Sequence, residues 1–214
     1  MKRVIIIFIA FAANIVAGNA QLFVEVDLGV NFEKTYYEYF YDVQNPFSSL
    51  SINVSPQVGY WMNDKVVVGA RVSFIAGYYK SLMLNLDSQI TEFIEWTTGW
   101  KGSVFGRYKL CGSEKLSVLA ESYLEVGENI SKARMESFTW KISSTSLIGI
   151  HVVPVITYDL SEKISIKAMC NFLDLGYECT RTKNEYNNKK YTSSRFCFGI
   201  PPVTFVNIGC IYNF

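Results

Sequence analysis

The chain carries one histidine, His151, and any search for acid–base or metal chemistry begins there. It stands in the run Gly149-Ile-His-Val-Val153, with no serine beside it and apolar neighbours at Val152 and Val153. A hydroxyl nucleophile needs a base within hydrogen-bond reach, and the local sequence supplies no such pair. The cysteines Cys111, Cys170, Cys179, Cys197 and Cys210 are too widely spaced for a zinc motif. No phosphate-cradling glycine loop and no nucleophile elbow occurs. Asn53-Val-Ser55 and Asn129-Ile-Ser131 match a glycosylation triplet, a pattern short enough to recur by chance. The expectation is no catalytic residue, no metal and no cofactor. What does recur is charge within otherwise apolar stretches: Glu25, Asp27, Arg71, Lys101, Arg107, Glu121, Glu125 and Lys167, with His151 among them. The four carboxylates and four cations cancel. Buried, such groups cost several kcal/mol each unless they pair, so the chemistry they suggest is an ion-pair network.

The elements that hold these charges are strands. Val206, Ile208, Cys210, Tyr212 and Phe214 point one way, and Asn207, Gly209, Ile211 and Asn213 the other, a side-chain period of two. The same alternation runs through Leu22–Phe32, Leu50–Trp61, Val66–Tyr78, Thr98–Leu110, Leu116–Gly127, Ser146–Tyr158 and Ile164–Tyr177, which makes eight strands. Pro201-Pro202 interrupts the last segment, so its membrane strand is expected from Val203, with Arg195–Ile200 as an extension above it. Pro56 and Pro154 lie inside strands and, lacking an N–H, are expected to mark bulges. Met62-Asn-Asp-Lys65, Cys111-Gly-Ser-Glu-Lys115 and Asp159-Leu-Ser-Glu-Lys163 read as tight turns. Between them fall four long loops, near 33–49, 79–97, 128–145 and 178–202. Cys179 and Cys197 flank the last loop, where they either face each other as a disulfide or serve, like the other cysteines, as small apolar residues.

Composition narrows the class. The 214 residues are 15% aromatic and 18% charged with a net charge of +1, which excludes disorder and gives no electrostatic basis for nucleic-acid binding. Met1-Lys-Arg3, the apolar run Val4–Ala13 and the small residues Gly18 and Ala20 read as a signal peptide over 1–20, leaving a barrel over 21–214. No later stretch offers 18 consecutive apolar residues, so no membrane helix is expected. Alternation alone does not say which face points outward. A soluble lipocalin-like carrier buries its apolar face, whereas a membrane barrel turns it to lipid. Short turns alternating with long loops favour the membrane arrangement. So do aromatics near the strand ends of the apolar face: Tyr60, Tyr78, Trp100, Tyr108, Tyr158, Tyr177, Tyr212 and Phe214. The lumen of an eight-stranded barrel is only wide enough to be filled by side chains.

Taken together, Phe23-Val-Glu-Val-Asp-Leu-Gly-Val30, Ser55-Pro-Gln-Val-Gly-Tyr60, Val68-Gly-Ala-Arg71 and the ending Asn207-Ile-Gly-Cys-Ile-Tyr-Asn-Phe214 resemble the outer-membrane β-barrel domain family. Its small members are similar to the transmembrane domain of outer membrane protein A and to outer membrane protein X. The resemblance implies an all-β, eight-stranded, antiparallel up-and-down barrel in a Gram-negative outer membrane. It implies contact with outer-membrane lipid and lipopolysaccharide, and with the barrel-assembly machinery through the terminal Tyr212 and Phe214. The larger relatives' periplasmic domain is not expected here. Function is then expected to be structural or surface-interacting, in adhesion or defence, with a surface ligand, host or phage as partner. A narrow solute or ion pore is the alternative. Lipid A-modifying barrels use a His with a Ser and an acidic partner, a set that His151 does not complete locally. The candidate interaction surface joins Tyr36, Tyr37, Tyr39, Phe40 and Tyr41 of the first loop, with a net charge of −2 over 33–49, to Lys189 and Lys190 of the basic last loop. Barrel closure is expected to bring those loops together.

Overall fold

A chain whose side chains alternate between two surroundings satisfies its backbone by lateral pairing, and this chain does so almost throughout. The computed structural model describes residues 21–38, 44–84, 90–135, 138–170, 174–198 and 206–214. The expected signal peptide, together with Tyr39, Phe40 and Tyr41, lies outside them. The strands are β1 (Gln21–Glu38), β2 (Gln44–Trp61), β3 (Val66–Leu84), β4 (Ile90–Gly112), β5 (Leu116–Met135), β6 (Phe138–Asp159), β7 (Ile164–Cys170), β8 (Leu175–Asn184), β9 (Lys190–Phe198) and β10 (Val206–Asn213). Every described pairing is antiparallel. The β1–β10 and β5–β6 ladders close the sheet into a ring with eight wall positions. β7 and β8 together occupy the seventh position against β6, and β9 and β10 the eighth. The eight-stranded antiparallel barrel expected from the alternation is thus the fold of the chain.

The outward face is apolar and the inward face is not. Along β1, Val24, Val26, Leu28, Val30 and Phe32 are exposed, whereas Phe23, Glu25 and Asp27 are at most 2% exposed. A soluble barrel would show the opposite. Charge sealed inside and an exposed belt of Val, Ile, Leu and aromatic side chains require lipid outside, so the barrel spans a membrane and the carrier reading is excluded. Tyr108, Tyr158, Tyr212 and Phe214 are exposed at the short-turn end, and Tyr78, Trp100 and Tyr177 at the other. Tyr108 and Trp100 stand eight residues apart on β4. At about 3.4 Å per residue and a strand tilt near 40°, that is roughly 20 Å of membrane depth.

The three tight turns form as expected. Met62 N donates to Val66 O at 2.8 Å, Ser113 N to Leu116 O at 2.7 Å and Leu160 N to Ile164 O at 2.9 Å. Asn63 Oδ1 accepts the backbone N–H groups of Lys65 and Val66, each at 2.9 Å, which fixes the first turn without further tertiary contact.

Three expectations need correction. The segments expected as long loops are mainly strand: β1 and β2 pair as far as Glu38↔Gln44, β3 and β4 to Leu84↔Ile90, β5 and β6 to Met135↔Phe138, and β8 and β9 to Lys183↔Lys190. Thr, Tyr, Phe, Ile and Trp in these stretches favour a pleated ribbon, and charged residues such as Glu33, Lys80, Glu92 and Lys132 interrupt the alternation there. Second, Pro56 makes no bulge. It stays in register opposite Val26, and the β2–β3 ladder resumes in register from Val54↔Phe74 to Gln57↔Arg71. Third, the seventh wall strand is not continuous. Met169 pairs with Val155 and Leu175 with Val152, so six residue steps face three. This insertion lies beside Pro154, whose ladder to β5 is intact at Ala120↔Pro154. Of the two readings open for Cys179 and Cys197, the free-thiol one holds: Cys179 pairs opposite Ser194 and Cys197 opposite Gly176, with no disulfide between them. The described last strand begins at Val206, residues 199–205 being outside the described set.

Candidate functional site

The lumen is built in layers, beginning with glycine. Phe23 of β1 faces Gly59 of β2, and Phe105 of β4 faces Gly69 of β3. A Cβ at Gly59 would stand 2.2 Å from Phe23 Cζ, and one at Gly69 2.4 Å from Phe105 Cζ, so each ring lies flat over a strand that offers no side chain. With Val67 and Ile211 these rings form one buried cluster, and Leu119, Val153, Val155 and Met169 a second. Both sit toward the short-turn end, where a vestibule of about 910 Å³ opens with Phe23, Leu119 and Arg107 among its lining residues.

Above the rings lie the charges. The Arg107 guanidinium stands 4.7 Å from the Phe105 ring centre, and that of Arg71 5.3 Å from the same ring. Arg107 Nη1 donates to Glu25 at 2.8 Å and Nε to Glu121 at 2.7 Å, while Arg71 bonds the other Glu121 oxygen. Lys167 bonds Glu25 and reaches Asp27 at 2.7 Å. Gln57 links the group: its Nε2 donates to Glu25 at 2.6 Å and to Asp27 at 2.7 Å, and its Oε1 accepts from Arg71 Nε at 3.1 Å. Glu25, Glu121 and Lys167 are fully buried. Three carboxylates therefore meet three cations in one sealed layer contributed by β1, β2, β3, β4, β5 and β7.

Nearer the hairpin end a second group forms. Lys101 Nζ donates to Glu125 at 2.9 Å. His151 Nδ1 lies 2.9 and 3.0 Å from the two Asp174 oxygens, and its ring stacks on Tyr123 with centroids 5.0 Å apart. Hydroxyl pairs line the remaining wall: Ser55–Ser73 at 2.8 Å, Thr97–Ser131 at 2.9 Å and Thr145–Thr182 at 3.0 Å.

All nine residues expected in the lumen, Glu25, Asp27, Arg71, Lys101, Arg107, Glu121, Glu125, His151 and Lys167, have inward positions, but the structure divides them into these two groups. Gln57, Asp174 and Glu178 also belong to the lumen wall. Gln57 lies on the polar face of its strand but, being uncharged, gives no ion-pair signal in the sequence. Asp174 and Glu178 depend on the insertion between Met169 and Leu175. Three extra residues invert the alternation, so Leu175 and Tyr177 face outward while Gly176 and Glu178 turn inward.

Outside the membrane the hairpins carry ion pairs of their own. Lys80 and Glu92 meet at 2.5 Å across β3 and β4, and this hydrogen bond raises the Lys80 pKa above its ordinary value. Glu185 accepts from Lys183 at 2.8 Å and stands 3.0 Å from Lys141, contacts that hold its carboxyl below the usual range. Lys189 and Lys190 are exposed beside the β8–β9 turn, where Asn188 adopts a φ of 54°. Tyr36 and Tyr37 lie on β1 opposite Pro46 and Asn45. Among the described residues β1 above Leu28 pairs only with β2, and β9 only with β8, so no backbone ladder joins the first and last hairpins. Tyr212 pairs with Val24 on one side and Ile164 on the other, and Phe214 N donates to Leu22 O at 3.0 Å.

No known family model matches the chain, and no curated protein matches it. Among solved structures it is similar to Neisserial surface protein A, at 15% identity over 92% of this chain and 100% of that chain, with a TM-score of 0.41. A major outer membrane protein of Thermus thermophilus gives 15% identity, 92% and 100% coverage and a TM-score of 0.45. Ail, the attachment invasion locus protein of Yersinia pestis, gives 11% identity, 91% and 98% coverage and a TM-score of 0.42. At such values these likenesses carry no statement of role, and the barrel and its orientation to lipid stand on this chain's own pairing and faces.

Proposed function

We propose that this membrane-spanning barrel belongs in the outer membrane of a Gram-negative bacterium, where it acts as a structural or surface-interaction protein that presents β-hairpins beyond the membrane and conducts nothing through its lumen. The observation that carries this reading is the sealed charge layer. A pore needs a continuous file of water, and here Phe23, Phe105 and Leu119 block the short-turn end beneath a layer in which three carboxylates pair with three cations, Asp27 Oδ1 being its one carboxylate oxygen without a hydrogen bond. Acyl transfer or hydrolysis by a Ser–His pair is disfavoured because, among the described hydrogen bonds of His151, the partner is Asp174 and no hydroxyl.

The hairpins supply the interacting part. β3 and β4 continue pairing from Tyr78↔Trp96 to Leu84↔Ile90, six residues beyond the last belt aromatic of β3. Such ribbons are stiffer than loops and hold recognition side chains at lower entropic cost. The partners proposed are lipopolysaccharide phosphate for the basic tip at Lys189 and Lys190, and a ligand on another surface for the aromatic first hairpin. The barrel-assembly machinery would read Tyr212 and Phe214.

Two measurements test the reading. Planar-bilayer recording of the purified barrel is expected to show no steady unitary conductance, and a stable open level would overturn the sealed lumen. Tyr37→Ala and Tyr39→Ala are expected to reduce binding of whole cells to their target surface without changing the heat-induced gel shift of the folded barrel. Unchanged binding in both variants would remove the first hairpin from the interaction.

A further inference from the structure

His151 is held in a way that ion pairing alone does not account for. Gly149 lies opposite Glu125 of β5 on one side and Glu178 of β8 on the other, so the two carboxylates flank a position with no side chain. The imidazole fills that space: a Cβ on Gly149 would stand 2.8 Å from His151 Nε2, and one on Gly176 2.4 Å from Nδ1. Tyr123 stacks on one ring face and Asp174 accepts from Nδ1. With Nδ1 carrying the proton to a carboxylate, Nε2 presents its lone pair. Nε2 is buried without a hydrogen-bond partner, in a residue only 4% exposed. Glu125 Oε1, the oxygen that Lys101 Nζ bonds at 2.9 Å, stands 3.8 Å from it, beyond hydrogen-bond distance. One ligand atom from each of Glu125, His151 and Glu178 falls within 4.8 Å of the others.

The geometry points to a divalent metal site in the upper lumen, with His151 Nε2 and the carboxylates of Glu125 and Glu178 as ligands and Asp174 orienting the imidazole. One imidazole nitrogen with two carboxylates suits zinc or a neighbouring first-row metal better than calcium or magnesium, which prefer all-oxygen sites. A carboxylate on the far ring nitrogen is the usual support of a metal-binding histidine. Charge favours a cation as well. Glu125, Asp174 and Glu178 face Lys101, bonded to one Glu125 oxygen at 2.9 Å, and Arg195, 3.6 Å from Glu178 and itself 68% exposed. The carboxylates exceed the fixed cations by one. Access is from the hairpin end, where the Asp174 and Glu178 side chains are 21% and 17% exposed. The ligands come from three different strands, and one follows the register inversion, so no sequence spacing announces them.

The test uses the full barrel, purified without a polyhistidine tag, refolded in detergent and stripped with chelator. Zinc is titrated calorimetrically, and bound metal is counted after dialysis. The expected result is one zinc per barrel, with calcium binding at least tenfold more weakly. His151→Gln and the more exposed Glu178→Gln are expected to abolish the tight event, and Asp174→Asn to weaken it about 10- to 100-fold. Each variant is first shown to be folded by its heat-induced gel shift, and Glu178→Gln, near the lumen mouth, covers the case in which His151→Gln fails to fold. Absence of zinc binding by the wild type overturns the proposal. So does affinity unchanged within threefold in a folded Glu178→Gln variant, or calcium binding as tight as zinc.

Discussion

Arg107→Met isolates the contribution of the sealed charge layer. Arg107 is 3% exposed and donates to Glu25 at 2.8 and 3.2 Å, to Glu121 at 2.7 Å and to Gln57 at 3.2 Å. Methionine keeps much of the packing volume and removes the charge. Glu25 retains Lys167 and Glu121 retains Arg71, so neither carboxylate is left bare. The layer nonetheless changes from three cations against three carboxylates to two against three, sealed from water. Breaking a buried pair by removing one partner costs about 3–5 kcal/mol, which is roughly two to three and a half orders of magnitude in the folding constant. Reversible urea unfolding in lipid vesicles, followed by tryptophan fluorescence and gel mobility, measures it. Arg107→Met combined with Glu121→Gln restores charge balance, and should be less destabilised than the sum of the single variants, by up to about 3 kcal/mol. A single-variant loss below about 1 kcal/mol, or strict additivity of the pair, would refute the argument that the layer is dry and mutually neutralised.

Other outcomes follow from the same structure. Gly69→Ala places a methyl group against Phe105 and the carbonyl of Val58, so it should destabilise the barrel by about 1–3 kcal/mol in the same urea assay; Gly77→Ala, whose nearest neighbours lie at 3.7 Å or more, should be near neutral. Glu185, whose pKa is lowered by Lys183 and Lys141, stabilises the β8–β9 tip above the ordinary carboxylate range and loses that effect as pH falls through its depressed value. Exchange of the Asn184 amide, which donates to Lys189 O at 2.9 Å, should therefore quicken in acid beyond its intrinsic rate, and in Glu185→Gln should lose that dependence. Phe214→Ala keeps the backbone bond to Leu22 and removes the ring that packs 5.1 Å from Tyr212. Cell fractionation should then show severalfold less heat-shiftable barrel in the outer membrane, and unchanged yield would dismiss an insertion role for this aromatic.

Much of the barrel was legible because a period of two is also a statement about surroundings. Val24 to Phe32 on one side and Glu25 with Asp27 on the other already define a wall between lipid and charge. The turn at Met62–Lys65 was legible for a different reason, since Asn63 caps it locally. Legibility ended where a residue's neighbours are set by pairing rather than by its own segment. No feature within β2 says that Gln57 will bridge two carboxylates of β1 and an arginine of β3. Asp174 and Glu178 were out of reach because the count of residues between Met169 and Leu175 decides their direction, and alternation carried straight through gives the opposite answer. The hairpin ribbons escaped because charged residues such as Glu33, Lys80, Glu92 and Lys132 interrupt their faces, although their β-forming residues are plain in the sequence.

The charge layer also constrains how the barrel can be assembled. Lys167 on β7 meets Glu25 and Asp27 on β1, a contact that spans 140 residues to Asp27 and exists only once β10 has docked between those strands. Before that moment a nascent sheet entering the bilayer would hold two carboxylates and a distant lysine facing hydrocarbon or trapped water. Partly zipped intermediates are therefore penalised in proportion to the charge they leave unmatched, and the last strand relieves that penalty in one step. Such an arrangement ties charge matching to closure, the pairing of longest range in the barrel and of the kind that forms slowly. The same groups that seal the lumen thereby act as a proofreading device for strand order, because a barrel closed in the wrong register would bury them unneutralised.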